Sequence, residues 1–156
     1  MNTHRNVQTA AQVMQEQVFV LAPEQSVFDA SAQLLHRGFA GAPVLENGRL
    51  VGVFSERDAL AALAAAHYED EPPGTVGQHM RRDFPVVGPD TDLYALALQF
   101  RDHCVRWLPV VDSDRQLLGL ATRTTILVAL TKLYEAREKN SYERLQDHMA
   151  LRQSPR

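Results

Sequence analysis

An internal repeat constrains the fold of this chain more than any other feature, because most of its 156 residues fall into two copies of one pattern. The positions that recur at an offset of 66 are Met14 and Met80, Pro23 and Pro89, Pro43 and Pro109, and Val44 and Val110. One residue is then inserted in a loop, and Gly52 pairs with Gly119 at an offset of 67. The repeat predicts that the second half of the chain folds like the first.

The segment between the two copies has the composition of an exposed linker. Residues 67–74 are first acidic and then rich in turn-forming proline and glycine. The predicted organisation is a tail over 1–9, a first repeat over 10–66, a linker over 67–74, a second repeat over 75–133 and a helical extension over 134–156.

Hydrophobic periodicity and turn signals predict the same order of elements in both copies. Ser26 and Asp29 form an N-terminal capping pattern ahead of a 3.6-residue period. Asn47-Gly48 between two apolar runs is a strong hairpin signal, since both residues tolerate positive φ. The first copy is predicted to contain a strand over 18–21, a helix over 26–36, strands over 42–46 and 50–54, and a helix over 56–66. The second copy is predicted to contain a strand over 84–87, a helix over 92–102, strands over 107–111 and 117–121, and a long helix. The unit is β-α-β-β-α, occurring twice, so the chain is α/β (α+β) in class.

Charge and composition narrow the range of partners. The formal charge is −3 and no basic run is clustered, so neither nucleic acid nor a membrane surface is indicated as a partner. Cys104 is the single cysteine, which excludes an intrachain disulfide and favours a reducing compartment. With no apolar leader at the N-terminus and no long apolar run, the expected location is the cytoplasm. The histidines lack partners at ligand spacing, so no metal site is expected.

Several short motifs occur in the same order in both copies. They are Val13-Met14 and Gln78-His79-Met80 before the first strands, Ala42-Pro43-Val44, Leu108-Pro109-Val110-Val111-Asp112, and LVGVFSERD over 50–58. In these motifs the chain resembles a tandem pair of cystathionine-β-synthase (CBS) domains, the Bateman module, over about residues 10–133. The resemblance implies two repeats packed sheet against sheet about a pseudo-twofold axis, with two clefts that commonly bind adenosine derivatives. It also implies a regulatory and not a catalytic role.

The stretch GVFSERD, residues 52–58, permits two interpretations. Ser55 and Asp58 can form a capping box at the start of a helix. A helix N-terminus can also receive a phosphate, and a carboxylate one turn along can accept both hydroxyls of a ribose. The resemblance implies the second interpretation, with the Ser55 hydroxyl near the phosphate and Asp58 on the ribose. The two interpretations are compatible.

The resemblance implies further members of the same cleft. Arg106 precedes Leu-Pro-Val, where the family often places a basic side chain toward phosphates, although a solvated surface arginine is the alternative. An apolar slot for the base would come from Val18, Val20 and the backbone near Ala42, which core packing explains equally well. The candidate ligand-binding residues are Ser55, Arg57, Asp58, Val18, Val20, Ala42, Val44 and Arg106.

The second copy departs from this pattern at one chemically important position. Thr125 stands where the first copy has Asp58, and a hydroxyl cannot chelate a ribose diol as a carboxylate does. A weaker second cleft, with Thr122, Arg123 and Thr125 as its candidate residues, is therefore expected to be occupied less than the first.

The C-terminal region extends beyond the repeat with a helical pattern. Its apolar positions are Leu127, Leu130, Leu133 and Tyr134, followed by Tyr142, Leu145 and Met149 if the helix continues past Asn140. Such a stripe is expected to dock on the module or on a second copy of the chain. A homodimer is expected, since the family often forms disc-like pairs.

The predicted function is that of a stand-alone regulatory module. It would bind AMP, ADP, ATP or S-adenosylmethionine and signal through helix packing to a regulated protein that the sequence does not identify. A ligand-free dimerisation adaptor is the alternative. Catalysis is not indicated, because no paired carboxylates, nucleophile-base arrangement or Gly-rich phosphate loop is present.

Overall fold

The computed structural model describes residues 8–152 as ten helices and strands. In chain order these are α1 (Ala10–Val13), α2 (Val27–Arg37), β1 (Gly41–Glu46), β2 (Arg49–Ser55), α3 (Glu56–Glu69), α4 (Val76–His79), α5 (Leu93–Asp102), β3 (Trp107–Val111), β4 (Leu117–Thr122) and α6 (Arg123–Arg152). The predicted mixed class and the duplicated helix-hairpin-helix order are confirmed. Most of the predicted tail over 1–9 and the last four residues of the predicted extension lie outside the described residues.

Each repeat is built around one antiparallel hairpin. β1 pairs with β2 and β3 pairs with β4, and each pairing contains one register shift. Asn47 and Gly48 form the first turn with φ angles of 51° and 78°, as their composition predicted. The two turns also meet, because the Leu50 N–H donates to the Arg115 carbonyl at 2.9 Å. The hairpins are thus joined at their tips.

The strands predicted over 18–21 and 84–87 are wrong in extent. Each segment contributes a single parallel bridge, between Leu21 and Val44 in the first repeat and between Val87 and Val110 in the second. Pro23 and Pro85 lack a backbone N–H, so the chain cannot continue a ladder through them. Most of each segment runs past the hairpin instead of pairing with it.

The segment that leads into each repeat pairs with the hairpin of the other repeat. Arg81 and Val53 exchange two backbone hydrogen bonds of 2.9 Å. Gln15 and Leu120 do the same in the second half, at 2.8 and 2.9 Å. These pairs are equivalent under the sequence offsets, so the two repeats exchange their leading segments about a pseudo-twofold axis.

The hydrophobic core reflects this exchange. One cluster contains Phe54 and Leu34 of the first repeat together with Val76 and Met80 from the leading segment of the second. The other cluster surrounds Leu108 and includes Ala10, Val13 and Met14. Each core is therefore completed by residues from the segment leading into the other repeat, which ties the two repeats into one folding unit.

Two glycines allow the close approach of the exchanged segments. A Cβ at Gly119 would lie 2.5 Å from the Gln15 carbonyl oxygen and 2.7 Å from the Met14 sulfur. A Cβ at Gly52 would meet the side chain of Met80 and the Arg81 carbonyl oxygen. The glycines in the repeated motif are therefore explained by packing, since no larger residue fits there.

Two helices are longer than the core requires. α3 continues to Glu69, three residues into the segment predicted as a linker, and ends where Asp70 adopts a φ of 54°. Its alanine-rich sequence favours continuation of the helix. α6 is continuous past Asn140, with Ile126 and Ala129 buried but all residues from 130 to 150 exposed. Within the described residues, the distal part of α6 does not dock on the module.

Among the helices of residues 8–152, none combines the length and the hydropathy that a membrane-spanning helix needs.

Candidate ligand-binding site

The first cleft lies between the two repeats and encloses about 360 Å³. It is formed by the end of β2, the first turn of α3, the segment after α4 and the segment that enters β3. Its lining residues are Ala40, Gly41, Val53, Phe54, Ser55, Glu56, Arg57, Arg81, Phe84, Pro85, Cys104, Val105, Arg106, Trp107 and Pro109. Both repeats therefore contribute to its walls.

Ser55 and Asp58 form the predicted capping box at the start of α3. The Asp58 N–H donates to the Ser55 hydroxyl at 3.3 Å. The Asp58 carboxylate in turn accepts from the Ser55 N–H and from the Ser55 hydroxyl, both at 2.9 Å and both at Oδ2. The structural interpretation of this pair is thus confirmed, and it positions Ser55 at the cleft wall.

The geometry of Asp58 restricts how it could meet a ligand. Asp58 is half-buried and is not itself among the lining residues, whereas Ser55, Glu56 and Arg57 are. Within the described residues Oδ1 has no hydrogen-bond partner, while Oδ2 accepts two bonds. Among the described residues, Oδ1 is therefore the oxygen of Asp58 that remains open to a further hydrogen bond.

Three arginines line the first cleft. The sequence indicated Arg57 and Arg106, and the structure adds Arg81, whose backbone is held by Val53 of the first hairpin. Phe84 and Trp107 supply aromatic surface to the same cleft. The sequence analysis did not assign Arg81 and Phe84 to the first cleft, because they belong to the second repeat. Only the exchange of leading segments between the repeats brings them to this cleft.

The same exchange separates the residues of the predicted apolar slot. Val18 lines the second cleft and not the one that contains Ser55. Val20 is 37% exposed and lies outside the lining of both clefts. Ala42 and Val44 are 1% and 0% exposed, so their side chains belong to the core. Gly41, next to Ala42, does line the first cleft, so the β1 backbone contributes there.

The second cleft encloses about 310 Å³ and has a more apolar lining. Its residues are Gln15, Gln17, Val18, Phe19, Gly38, Phe39, Ala40, Gly41, Arg106, Trp107, Leu120 and Thr122. Thr122 and Thr125 reproduce the capping box, since the Thr125 N–H donates to the Thr122 hydroxyl at 3.1 Å and the Thr122 N–H to Thr125 Oγ1 at 3.0 Å. Arg123 and Thr125 lie outside this lining. Arg106 and Trp107 line both clefts, so they form the wall between them.

Surface charge near the first cleft includes one close ion pair. Arg101 Nε and Asp102 Oδ1 are 2.9 Å apart at the end of α5, and the hydrogen bond from Arg101 lowers the pKa of the Asp102 carboxyl. Both side chains are well exposed, so the pair contributes little to stability. Within residues 8–152, no three His, Cys, Asp or Glu side chains are grouped as a metal site would require.

Comparison with protein families matches this fold to one family. The family model named CBS domain matches residues 10–65 and again residues 76–132. The A-adding tRNA nucleotidyltransferase of Aquifex aeolicus is 35% identical over 119 residues, which cover 76% of this chain and 14% of that protein. Uncharacterized protein MJ1232 of Methanocaldococcus jannaschii is 30% identical over 113 residues, which cover 72% of this chain and 36% of that protein. The chain thus spans only a minor part of the length of these relatives.

Solved structures match over nearly their whole length. The crystal structure of CBSX2 in complex with AMP is 30% identical with a TM-score of 0.71, covering 81% of this chain and 98% of that one. The crystal structure of the CBS-pair protein CBSX2 from Arabidopsis thaliana is 29% identical with a TM-score of 0.71, covering 83% and 99%. A putative acetoin utilization protein from Vibrio cholerae, at 24% identity and a TM-score of 0.72, covers 85% and 97% and shows the same fold. This chain therefore belongs to the CBS domain family and carries two CBS repeats in tandem.

Proposed function

We propose that this chain is a CBS-pair regulatory module that binds an adenine nucleotide in the first cleft. The observation that carries the proposal is the position of the Ser55–Asp58 capping box, which starts α3 at the wall of a cleft that arginines and aromatic rings also line. The cleft volume of about 360 Å³ lies at the lower end of the range of small-molecule sites.

The chemistry of the walls matches the parts of a nucleotide. The N-terminus of α3, with Ser55 and Arg57, supplies N–H groups, a hydroxyl and a cation for phosphate. Asp58 Oδ1 is available for a ribose hydroxyl. Phe84 and Trp107 offer aromatic surface for the base. In this arrangement the first repeat holds the ribose and contacts the phosphate, while the second holds the base.

The relatives support a ligand of this class. CBSX2, which is 30% identical to this chain, was solved in complex with AMP. AMP, ADP and ATP are therefore the proposed ligands, with S-adenosylmethionine as a further possibility. We place the module in a reducing, cytoplasmic compartment, in keeping with its single cysteine.

Signalling follows from the fact that the cleft joins two repeats. A ligand held by Ser55 on one side and by Phe84 on the other connects the start of α3 with the leading segment of the second repeat. Binding would favour the conformation in which these walls are closest, and only a difference in affinity between conformations can shift their populations. The regulated partner would respond to the resulting change in helix packing.

A thermal-shift panel tests the proposal directly. The full chain is heated with adenosine, AMP, ADP, ATP, S-adenosylmethionine and, as a control for the base, GTP. At least one adenine compound is expected to raise the unfolding midpoint, and GTP to raise it less. No shift with any adenine compound at millimolar concentration, together with no nucleotide released from the purified protein by acid, would contradict the proposal.

A ligand-free dimerisation adaptor is the second candidate. It is favoured by the exposed apolar side chains of distal α6, among them Tyr142, Leu145 and Met149, which have no cover within the described residues. A homodimer formed through this helix belongs to both candidates. The adaptor alone predicts that nucleotides leave the melting curve unchanged.

A further inference from the structure

Three guanidinium groups converge on the first cleft from three separate elements. Arg57 lies in the first turn of α3, Arg81 follows α4, and Arg106 immediately precedes β3. Among residues 8–150, none of the three has a carboxylate within ion-pair distance. Glu56 is the only acidic residue of the lining, so the cleft holds an excess of positive charge.

The second cleft shows that the fold does not require this charge. Under the offsets of the repeat, Arg57, Arg81 and Arg106 correspond to the uncharged residues Thr124, Gln15 and Ala40. The backbone equivalence is direct at one position, because Arg81 pairs with Val53 as Gln15 pairs with Leu120. Three arginines thus line the first cleft, whereas one, Arg106, lines the second, and the two clefts share it.

Arg81 is well placed to act on a ligand. Its N–H and its carbonyl are both bonded to Val53 at 2.9 Å, which fixes the backbone while the side chain remains exposed at the cleft. Its neighbour Arg82 is also exposed but does not line the cleft. Since Arg81 pairs with Val53, three residues before α3 begins, it lines the same cleft as the α3 N-terminus although it belongs to the other repeat.

The amount of charge exceeds what a monophosphate needs. A phosphate monoester carries about −1.5 to −2 charges at pH 7, which two guanidinium groups can match. The third guanidinium offsets Glu56, and the N-terminus of α3, worth about half a positive charge, leaves attraction for further phosphates. Arginine also binds phosphate oxygens in a bidentate manner.

We infer that the first cleft selects nucleoside di- and triphosphates over monophosphates and nucleosides, with Arg81 as the residue that determines this selection. The inference rests on the proposed function for the identity of the base and the sugar. The inference adds the length of the phosphate chain that is bound and the side chain that discriminates between lengths. Neither follows from the repeat motif.

Isothermal titration of the full chain with adenosine, AMP, ADP, ATP and inorganic tripolyphosphate tests the inference. Arg81→Gln is compared with Arg82→Gln, a matched control that removes the same charge one residue away from the cleft. Circular dichroism melting confirms that both variants fold. The wild-type chain is expected to bind ATP at least about tenfold more tightly than AMP, as one additional charged hydrogen-bonding contact would give.

The two variants are expected to differ. Arg81→Gln should lose about tenfold in affinity for ATP, with a smaller loss for AMP. Arg82→Gln should change either affinity by less than about threefold, because solvent screens the effect of an exposed charge outside the cleft. Equal wild-type affinities for AMP and ATP, or equal losses in the two variants, would overturn the inference and leave nucleotide binding intact.

Tripolyphosphate separates this inference from the proposed function. If every adenine compound fails to bind, the proposed function is wrong. Tripolyphosphate binding that Arg81→Gln abolishes and Arg82→Gln retains would still support a cleft for polyphosphates. Absence of tripolyphosphate binding in that case would overturn the inference as well.

Discussion

Asp58 Oδ2 accepts two hydrogen bonds from Ser55, one from the N–H and one from the hydroxyl, each of 2.9 Å. In the second repeat Thr125 Oγ1 takes the same position and accepts from the Thr122 N–H at 3.0 Å. The two helix starts therefore have the same capping geometry but different chemistry, since only the carboxylate has a second oxygen left for a ligand. This difference makes the pair Asp58 and Thr125 an internal test of ligand binding.

Asp58→Ala is expected to abolish the nucleotide-induced thermal shift, whereas Thr125→Ala should retain most of it. Ligand at a hundred times its dissociation constant stabilises by about 2.7 kcal/mol. For a chain of this size, at about 2–4 °C per kcal/mol, the midpoint of the wild-type chain should rise by about 5–10 °C. Differential scanning fluorimetry with saturating ligand measures the increment.

The control for this prediction is the midpoint without ligand, because both substitutions remove a cap. Asp58→Ala removes a first-turn charge worth about 0.3–1 kcal/mol and Thr125→Ala removes a hydrogen bond worth about 0.5–1.5 kcal/mol, so both free variants should melt lower. If ligand raises the midpoint of Asp58→Ala as much as that of the wild-type chain, Ser55 and Asp58 act only as a capping box, which favours the adaptor. Loss of the increment in Thr125→Ala alone would place the nucleotide in the second cleft.

Replacing a ribonucleotide with its 2′-deoxy analogue should weaken binding. Asp58 would lose one hydrogen bond to a charged group, which costs about 1.5–3 kcal/mol, or roughly tenfold to a hundredfold in affinity. Isothermal titration of the same chain with both sugars checks the size. Equal affinities would show that Asp58 does not contact the 2′-hydroxyl, and Thr125→Ala, which should retain the difference between the two sugars, is the control.

Gly119→Ala is expected to destabilise the fold by about 1–3 kcal/mol, the usual cost of overpacking. The added Cβ would lie 2.5 Å from the backbone oxygen of Gln15, which cannot move aside as a side-chain end can. Gly88→Ala is the matched control, because a Cβ there meets nothing within 4 Å. Urea denaturation gives both free energies of unfolding. Equal values for the two variants would mean that the exchanged segment adapts to the extra methyl group.

Removing the residues after Leu133 should weaken self-association without lowering the melting temperature. Residues 130–150 are exposed along α6, so the module loses no buried contact when they are deleted. Sedimentation equilibrium of the full and shortened chains measures the change in mass. An unchanged dimer mass would move the interface to the helices of the repeats.

A milder pair of substitutions tests the same face of α6. Leu145 is 61% exposed and lies on the apolar side with Tyr142 and Met149, whereas Glu143 lies on the opposite side by helical period. Leu145→Gln should weaken the dimer and Glu143→Gln should leave it unchanged. Similar dissociation constants for the two variants would argue against this face as the interface.

Local signals were sufficient for much of the fold. The Asn47-Gly48 turn, the Ser26 cap and the capping box at Ser55 are decided by neighbouring residues, and the structure contains all three. The first strands failed as predictions because a strand exists only through its pairing, and Leu21 finds one bridge where an apolar run suggested a ladder. The end of α3 was also set too early, since nothing local stops an alanine-rich helix before Asp70.

The sequence by itself determined the duplication, the order of helices and hairpins, the family and the chemical difference between Asp58 and Thr125. Only the tertiary structure decided which residues share a cleft. The pairing of Arg81 with Val53 and of Gln15 with Leu120 carries each leading segment across to the other repeat. Arg81 and Phe84 therefore line the same cleft as Ser55, while Val18 lines the same cleft as Thr122. A periodic pattern indicates which face of a helix or strand is apolar. Which segment packs against that face depends on contacts between parts of the chain that are distant in sequence.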